Sequence, residues 1–119
     1  MSIQESGEMY LETIYILSEG KKPVRSIDVA DYMGFSKPSV SRAVGKLREE
    51  KLILVDNDGY ISFTKTGKNI AEKIYERHNV LKSFIMKLGV DEETATSDAC
   101  KIEHVISNKT FDALKEFLK

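Results

Sequence analysis

Apolar residues recur at mixed spacings of three and four along residues 5–18, which is the period of an amphipathic helix. Gly20 and Pro23 then end this helix, because neither residue favours a helix interior. Its apolar members are Met9, Leu11, Ile14, Tyr15 and Leu17. The pattern therefore predicts one amphipathic helix in this segment.

A short helix and a longer helix follow, with a three-residue break between them. Ser26 is a good N-cap for a helix over residues 27–33. The Gly-Phe-Ser sequence at residues 34–36 breaks that helix and offers a second cap, with Pro38 near the first turn, where a missing N–H costs nothing. The second helix is predicted to reach about Glu50. The inward positions of the two helices are Ile27, Ala30, Met33, Val40, Val44 and Leu47.

The pattern changes to short β-prone runs at residues 52–55 and 60–63. The Asp-Asn-Asp-Gly sequence between them is a strong hairpin signal, because Asn and Gly tolerate positive φ. Thr64 or Thr66 is then expected to cap a long helix that runs to Gly89. Its apolar set is Ile70, Ile74, Val80, Leu81, Phe84, Ile85 and Leu88.

Two more helices are predicted after Gly89. Acidic residues at 91–93 favour the positive end of a helix that continues to about Ile106. Ser107 is a candidate cap for a last helix. Its apolar residues are Phe111, Leu114, Phe117 and Leu118, and they are a candidate for part of a dimer interface or for the chain's own core.

Length and composition limit the fold class. A chain of 119 residues with this order of elements is expected to be mainly α with a small β-hairpin, and neither a barrel nor a doubly wound sheet. No apolar stretch approaches the roughly 20 residues of a membrane helix, and no signal-peptide pattern is seen, so we expect a cytoplasmic protein. The single cysteine, Cys100, cannot form an intrachain disulfide, and its chemistry is that of a thiol or a metal ligand.

The net charge of −1 conceals a basic segment. Residues 32–48 contain four bases and no acid, and they include the second of the two adjacent helices. A helix, a short turn, a longer helix and a β-hairpin, in that order, form a winged helix-turn-helix, whose second helix enters the major groove of DNA. The predicted DNA-binding residues are Ser36, Lys37, Pro38, Ser39, Arg42 and Lys46. The alternative is that the basic helix is simply a solvated face.

One such module makes few contacts, so a homodimer on two half-sites of double-stranded operator DNA is expected. The wing tip, with Asn57 and Asp58, is a poor phosphate clamp and is expected to add little affinity.

Potential metal ligands cluster in the predicted helix that contains Cys100. At about 100° per residue, Cys100, Glu103 and His104 share one helix face. The first helix carries Met9 and Glu12 one turn apart, and the long helix carries a histidine at position 78, so the full candidate set is Met9, Glu12, His78, Cys100, Glu103 and His104. This mixture of sulfur, nitrogen and oxygen suits Fe²⁺, Mn²⁺, Co²⁺, Ni²⁺ or Zn²⁺ better than Mg²⁺ or Ca²⁺.

Each of these residues also has a structural explanation. A helical methionine is usually core filler, and Cys100 beside Ala99 is compatible with a buried apolar residue. The two glutamates are compatible with surface charges. A metal-dependent hydrolase is disfavoured because no general base lies beside an open coordination position and no substrate-sized insertion is present.

The sequence resembles the diphtheria toxin repressor family of metal-dependent regulators. The resemblance rests on GEMYLETIY (7–15), KPSVSRAVGKL (37–47), TKTGKNIA (64–71) and ACKIEHVIS (99–107), and it extends over nearly the whole chain. It implies a winged helix-turn-helix DNA-binding domain over residues 1–70 and a helical metal-binding and dimerisation domain over residues 71–119. It also implies that bound Fe²⁺ or Mn²⁺ activates a repressor of metal-homeostasis genes.

The two branches of that family place the ligands differently. The iron-responsive branch has a methionine and a Cys-x-x-Glu-His segment, which match Met9 and residues 100–104. Its ancillary site begins at the position of His78, but the next two ligand positions hold Lys82 and Thr96, so that site is expected to be lost or rebuilt.

The manganese-responsive branch is shorter, without an SH3-like domain. Four of its ligand positions match Glu12, His78, Glu103 and His104, whereas Met9 and Cys100 replace its Asp and first Glu. Sulfur ligands disfavour Mn²⁺, so we expect Fe²⁺, with Zn²⁺, Co²⁺ or Ni²⁺ as substitutes in vitro. The remaining alternative is a winged-helix regulator that is independent of metal or senses another small ligand.

Overall fold

The computed structural model describes residues 5–20 and 23–119, with only the backbone of Glu5 described. The predicted start of the DNA-binding domain, residues 1–4, lies outside the described residues. The elements in chain order are α1 (Glu5–Glu19), α2 (Ser26–Met33), α3 (Lys37–Glu49), β1 (Ile53–Val55), β2 (Ile61–Phe63), α4 (Lys65–Lys87), α5 (Glu92–Ile102) and α6 (Asn108–Phe117). The expectation of a mainly α fold with a small β-hairpin is confirmed.

The chain divides into two compact units, Met1–Glu72 and Lys73–Lys119, with the division inside α4. Within the described ranges, no helix combines the length and the apolar character that crossing a membrane requires.

The first unit is a three-helix cluster with a two-stranded wing. Apolar faces of α1, α2 and α3 meet in one core, which also takes in the first strand and the start of α4. In α3 the three predicted inward positions are buried. The core residues are Tyr10, Leu11, Ile14, Val24, Val29, Ala30, Val40, Val44, Leu47, Leu52, Ile53, Ile61 and Ala71.

The turn between α2 and α3 contains the predicted glycine at the end of α2 and the predicted serine cap of α3. Gly34 adopts φ +72° and donates its N–H to the Ala30 carbonyl, which ends α2. Ser36 caps α3, because its hydroxyl accepts a hydrogen bond from the Ser39 N–H, and Pro38 lies in the first turn. The helix-turn-helix therefore depends on one glycine and one serine for its angle.

The start of α2 differs from the prediction. Arg25, not Ser26, is the N-cap residue, and its backbone N–H donates to the Asp28 carboxylate at 2.9 Å. A carboxylate is a stronger acceptor than a hydroxyl, so the helix begins one residue earlier. Val29 is then completely buried, whereas Ile27, which was predicted to face inward, is 43% exposed.

The wing is a short antiparallel hairpin. Its register pairs Ile53 with Phe63 and Val55 with Ile61, and Ile61 also forms a bridge with Val24 that ties the hairpin to the segment before α2. The Asp56 carboxylate accepts hydrogen bonds from two backbone N–H groups of the turn, at 2.9 Å each. The wing tip is therefore held by its own acidic residue.

The second unit contains the rest of α4 together with α5 and α6. Asp91 caps α5 and Ser107 caps α6, each accepting a backbone N–H three residues ahead. The hydrogen bond from Thr94 lowers the pKa of Asp91. Helix α5 ends at Ile102, whereas the sequence predicts an end near Ile106. Leu88, which was predicted to belong to the apolar face of α4, is 68% exposed.

The start of α4 lies against the end of α3. Thr64 donates its hydroxyl to the Lys51 carbonyl at 2.8 Å and accepts the Gly67 N–H at 3.1 Å, so it caps α4, as one of the two predicted candidates. A Cβ atom on Gly67 would lie 1.8 Å from the Leu52 carbonyl oxygen. Only glycine allows this close approach of helix and backbone.

We expect Gly67→Ala to lower the free energy of unfolding by about 1–3 kcal/mol, because α4 must move away from Leu52. Urea denaturation followed by circular dichroism measures the change. The control is Gly45→Ala in α3, where no atom lies within 4 Å of the added Cβ and alanine is about 1 kcal/mol better in a helix. Equal stability of the two variants would contradict the close approach.

We expect Asp91→Ala to destabilise the protein at pH 7 and to have less effect in acid. The lowered pKa means that the carboxylate stabilises the folded state above the usual Asp range, and this contribution is lost as the pH falls through the folded-state pKa. Urea titrations at a series of pH values measure the difference from wild type. Ser107→Ala is the control, since a hydroxyl cap does not titrate and its effect should be independent of pH.

Candidate metal centre and DNA-binding surface

Four potential ligands lie close together in the second unit. His78 comes from α4, Cys100 from the last turn of α5, and Glu103 and His104 from the turn that follows. The ligand atoms of His78, Cys100 and Glu103 all lie within 4.8 Å of one another. The Glu103 carboxylate lies between two imidazoles, with Oε2 3.1 Å from His78 Nδ1 and Oε1 3.3 Å from His104 Nε2.

Local structure explains why these residues share one side although α5 ends early. Glu103 has helical φ and ψ, and its N–H donates to the Ala99 carbonyl at 3.0 Å. It therefore lies where one more helical residue would place it, on the same side as Cys100. Cys100 and Glu103 therefore lie on one side, as the sequence predicts. His104, however, belongs to the turn and not to the helix.

Burial differs across the cluster. Glu103 is completely buried, the His104 side chain is 4% exposed and the His78 side chain is 15% exposed, whereas Cys100 is exposed. A buried carboxylate is costly unless it is paired or binds a cation. The arrangement therefore combines a buried carboxyl group with an accessible thiol.

The donor set fits a divalent transition metal. Two imidazoles, a carboxylate and a thiol are the ligand types that borderline metals share, whereas Mg²⁺ and Ca²⁺ prefer oxygen. Ligands of one ion with bonds near 2.1 Å lie about 3 Å apart, which is close to the 3.1 Å between Glu103 Oε2 and His78 Nδ1.

The two candidate ligands on α1 belong to the first unit. Glu12 is buried, with 6% of its surface exposed, and Met9 is 38% exposed. Their participation in the metal centre remains a prediction from the sequence.

The expected ancillary positions hold no second set of ligands. Lys82 Nζ is 3.4 Å from Glu92 Oε1, and the Thr96 hydroxyl donates to the Glu92 carbonyl. An ammonium group has no lone pair for a metal. That the ancillary site is lost or rebuilt stays a prediction from the sequence.

Sequence reasoning missed Arg77, the residue before His78. Its guanidinium donates to the backbone carbonyls of Glu103 and Ile106 and to the Asn108 side chain, and it lies over the Phe111 ring. No spacing rule points to an arginine that binds carbonyl groups so far along the chain. Its position beside a histidine with ligand potential is the only local signal.

The predicted DNA-binding residues lie on the exposed side of the helix-turn-helix. Lys37, Pro38, Arg42 and Lys46 are exposed, whereas α3 buries its opposite face in the core. The Ser39 hydroxyl accepts from Ser36 Oγ at 2.9 Å and from Arg42 Nη2 at 3.4 Å. The cap of α3 and its most central basic side chain are thus linked through Ser39.

The segment before α2 places a basic side chain beside the wing. The Arg25 guanidinium lies 4.4 Å from the centre of the Tyr60 ring, so a positive charge lies beside the last residue of the hairpin turn. The wing tip itself presents Asp56 and Asp58, both exposed. The turn end of the wing therefore combines one basic side chain with two acidic side chains.

Both parts of the chain match known domains. Residues 2–66 match the iron dependent repressor N-terminal DNA binding domain, and residues 64–119 match the iron dependent repressor metal binding and dimerisation domain. The chain is 35% identical over 121 residues to an uncharacterized HTH-type transcriptional regulator of Methanocaldococcus jannaschii, covering 98% of this chain and 95% of that protein. It is 32% identical over 114 residues to the HTH-type transcriptional regulator MntR of Bacillus subtilis, covering 96% of this chain and 80% of MntR.

The fold is also that of a solved regulator. The structure of the manganese regulator SloR aligns with a TM-score of 0.84 and 32% identity over 99% of this chain. This chain spans 54% of that one, about half its length. Members of this family are transcriptional regulators and not enzymes. The domain matches, the relatives and the fold together show that the chain belongs to the diphtheria toxin repressor family of metal-dependent, DNA-binding transcriptional regulators.

Proposed function

We propose that this protein is a repressor whose binding to operator DNA, as a homodimer, is activated by Fe²⁺ and less strongly by Mn²⁺. The observation that carries the proposal is the convergence of His78, Cys100 and Glu103 within 4.8 Å, inside a region that matches a metal binding and dimerisation domain. Operator DNA as the target also makes the cytoplasm the proposed site of action.

The proposed preference for Fe²⁺ over Mn²⁺ rests on the two sulfur-containing side chains among the candidate ligands. Two relatives of this chain are named for manganese regulation or are of the MntR type, yet here the candidate set contains the Cys100 thiol and the Met9 thioether. Thiolate and thioether are softer ligands than carboxylate and disfavour Mn²⁺. Binding also requires loss of the Cys100 proton, so affinity is expected to fall as the pH is lowered.

We further propose that Met9 and Glu12 complete the ligand set. They lie on α1 of the DNA-binding unit, while the other four ligands belong to the second unit, so a shared ion would restrict the relative placement of the recognition helices. Such coupling acts only through a difference in metal affinity between arrangements, and factors of about 5–150 are typical. The domain division proposed from the sequence, residues 1–70 and 71–119, is the division on which this coupling acts.

Anaerobic titration of the metal-free protein with Fe²⁺ and Mn²⁺, followed by fluorescence anisotropy on a candidate promoter, tests the function. Binding should strengthen with each metal and at lower free Fe²⁺ than Mn²⁺, and sedimentation should show a dimer on DNA. Tight operator binding that ignores both metals would support the metal-independent regulator instead.

We expect Glu103→Ala and His104→Ala to remove the metal response and to leave weak operator binding that is independent of metal, about 5–150-fold below the activated wild type. Glu93→Ala is the matched control, because it removes an exposed carboxylate from α5, the helix that precedes the turn with Glu103 and His104. An undiminished metal response in both site variants would contradict the assignment.

We expect Cys100→Glu to shift the metal preference toward Mn²⁺, because an oxygen ligand replaces sulfur. Isothermal titration with each metal gives the ratio of the two Kd values. Cys100→Ser, which removes the thiolate without adding a charge, should weaken binding of both metals. An unchanged ratio in Cys100→Glu would exclude Cys100 as the residue that sets selectivity.

We expect Arg42→Ala to weaken operator binding by about 1–3 kcal/mol and to leave metal affinity unchanged, since Arg42 lies on the exposed face of α3 opposite its buried positions. The control is Arg48→Ala, which removes the same charge from the same helix outside the predicted contact set and should cause a smaller loss. Equal losses would mean that only net charge matters.

A further inference from the structure

Arg77 holds the turn that carries Glu103 and His104. Its Nη1 donates to the Glu103 carbonyl at 3.1 Å and to the Ile106 carbonyl at 2.9 Å, and its Nη2 donates to Asn108 Oδ1. Its guanidinium carbon lies 5.4 Å from the centre of the Phe111 ring. One half-buried side chain thus contacts both the start and the end of the turn and the first turn of α6.

The carbonyl groups of Glu103 and Ile106 need hydrogen-bond donors. Helix α5 ends at Ile102, and carbonyl groups beyond a helix end lie at the negative end of its dipole without an intrahelical donor. A guanidinium provides several donors in one rigid plane, so it can bind two carbonyls and an amide oxygen at once. Arg77 therefore fixes the backbone of the turn rather than a single group.

The same turn sets the position of the candidate ligands. Glu103 is completely buried, with its carboxylate between the imidazoles of His78 and His104. Arg77 and His78 are adjacent on α4, so the backbone of Glu103 and its side chain are held from the same helix by neighbouring residues. A shift of the turn would move the carboxylate away from His78.

We propose that Arg77 is a positioning residue of the metal centre: it fixes the turn of residues 103–107 so that Glu103 and His104 are placed before metal arrives. This inference rests on the proposed function, because it assigns Arg77 a part in metal affinity beyond stability. Outer groups that orient ligands typically change metal affinity by about 10–100-fold when they are removed.

A neighbouring contact provides a matched control. Glu76, the residue before Arg77, forms an ion pair with Lys115 of α6 at 3.1 Å, and both side chains are about half exposed. This pair also links α4 to α6, but it does not involve the turn. Loss of the ion pair alone should therefore have little effect on the metal centre.

The experiment titrates the full chain with Co²⁺ under anaerobic conditions and reads Kd from the absorbance of the bound ion. We expect Arg77→Met to raise Kd about tenfold or more. Arg77→Lys should show an intermediate loss, because one ammonium group cannot reproduce the planar fork. Lys115→Met should leave Kd within about twofold of wild type.

Two further measurements separate positioning from stability. Leu114→Ala, a half-buried change in α6, should lower the Tm of the metal-free protein yet leave Kd near the wild-type value. Hydrogen exchange of the metal-free Arg77→Met protein should be faster at the amides of residues 103–107 than in Leu114→Ala.

The outcomes distinguish the two claims. A wild-type protein that binds no Co²⁺ would overturn the proposed function together with this inference. Normal Co²⁺ binding by wild type and by Arg77→Met would overturn only the inference. A Kd that rises in proportion to the loss of Tm in Arg77→Met and Leu114→Ala alike would also overturn it, since Arg77 would then be merely structural.

Discussion

The buried carboxylate of Glu103 is the constraint on which the second unit depends. A carboxyl group that is buried away from water is unfavourable unless its oxygens face polar partners. His78 and His104 face them, one on each side, at 3.1 and 3.3 Å. This requirement fixes the α4 turn that carries His78 against the end of α5, and it leaves the Cys100 thiol on the same side with access to solvent.

The ends of the helices follow from the need to place that carboxylate. Helix α5 begins at an Asp91 cap, ends at Ile102, and passes at once into the turn that Arg77 holds. Ser107 then begins α6 by accepting a backbone N–H. Polar contacts therefore contribute directly to the geometry of the candidate metal centre.

The first unit is organised by different means. A single apolar core fixes the three helices and the wing, and caps and one positive-φ glycine set the angle between α2 and α3. The exposed face of α3 is thereby left to a proline, a serine and basic side chains linked through Ser39. This division suits a regulator in which the DNA-binding unit is distinct from the unit that contains the candidate metal centre.

The sequence by itself determined the order of the elements, most of the caps and the candidate ligands at residues 100–104. These follow from local rules: apolar period, Gly and Ser at helix ends, and the spacing of Cys100, Glu103 and His104, which fits one helical turn. The prediction from the sequence was wrong at the start of α2, where two local groups compete to set the first residue of the helix. There the Asp28 carboxylate accepts the Arg25 N–H, so Arg25 is the N-cap residue in place of Ser26.

Only the tertiary structure decided that His78 lies 3.1 Å from Glu103 and that Arg77 holds the same turn. Both are contacts between residues about 25 positions apart, and a periodic pattern carries no information on which turn of one helix meets the end of another. Packing of α4, α5 and α6 fixes that pairing, because it places His78 beside the buried Glu103 carboxyl group and Arg77 beside the carbonyl groups of the following turn.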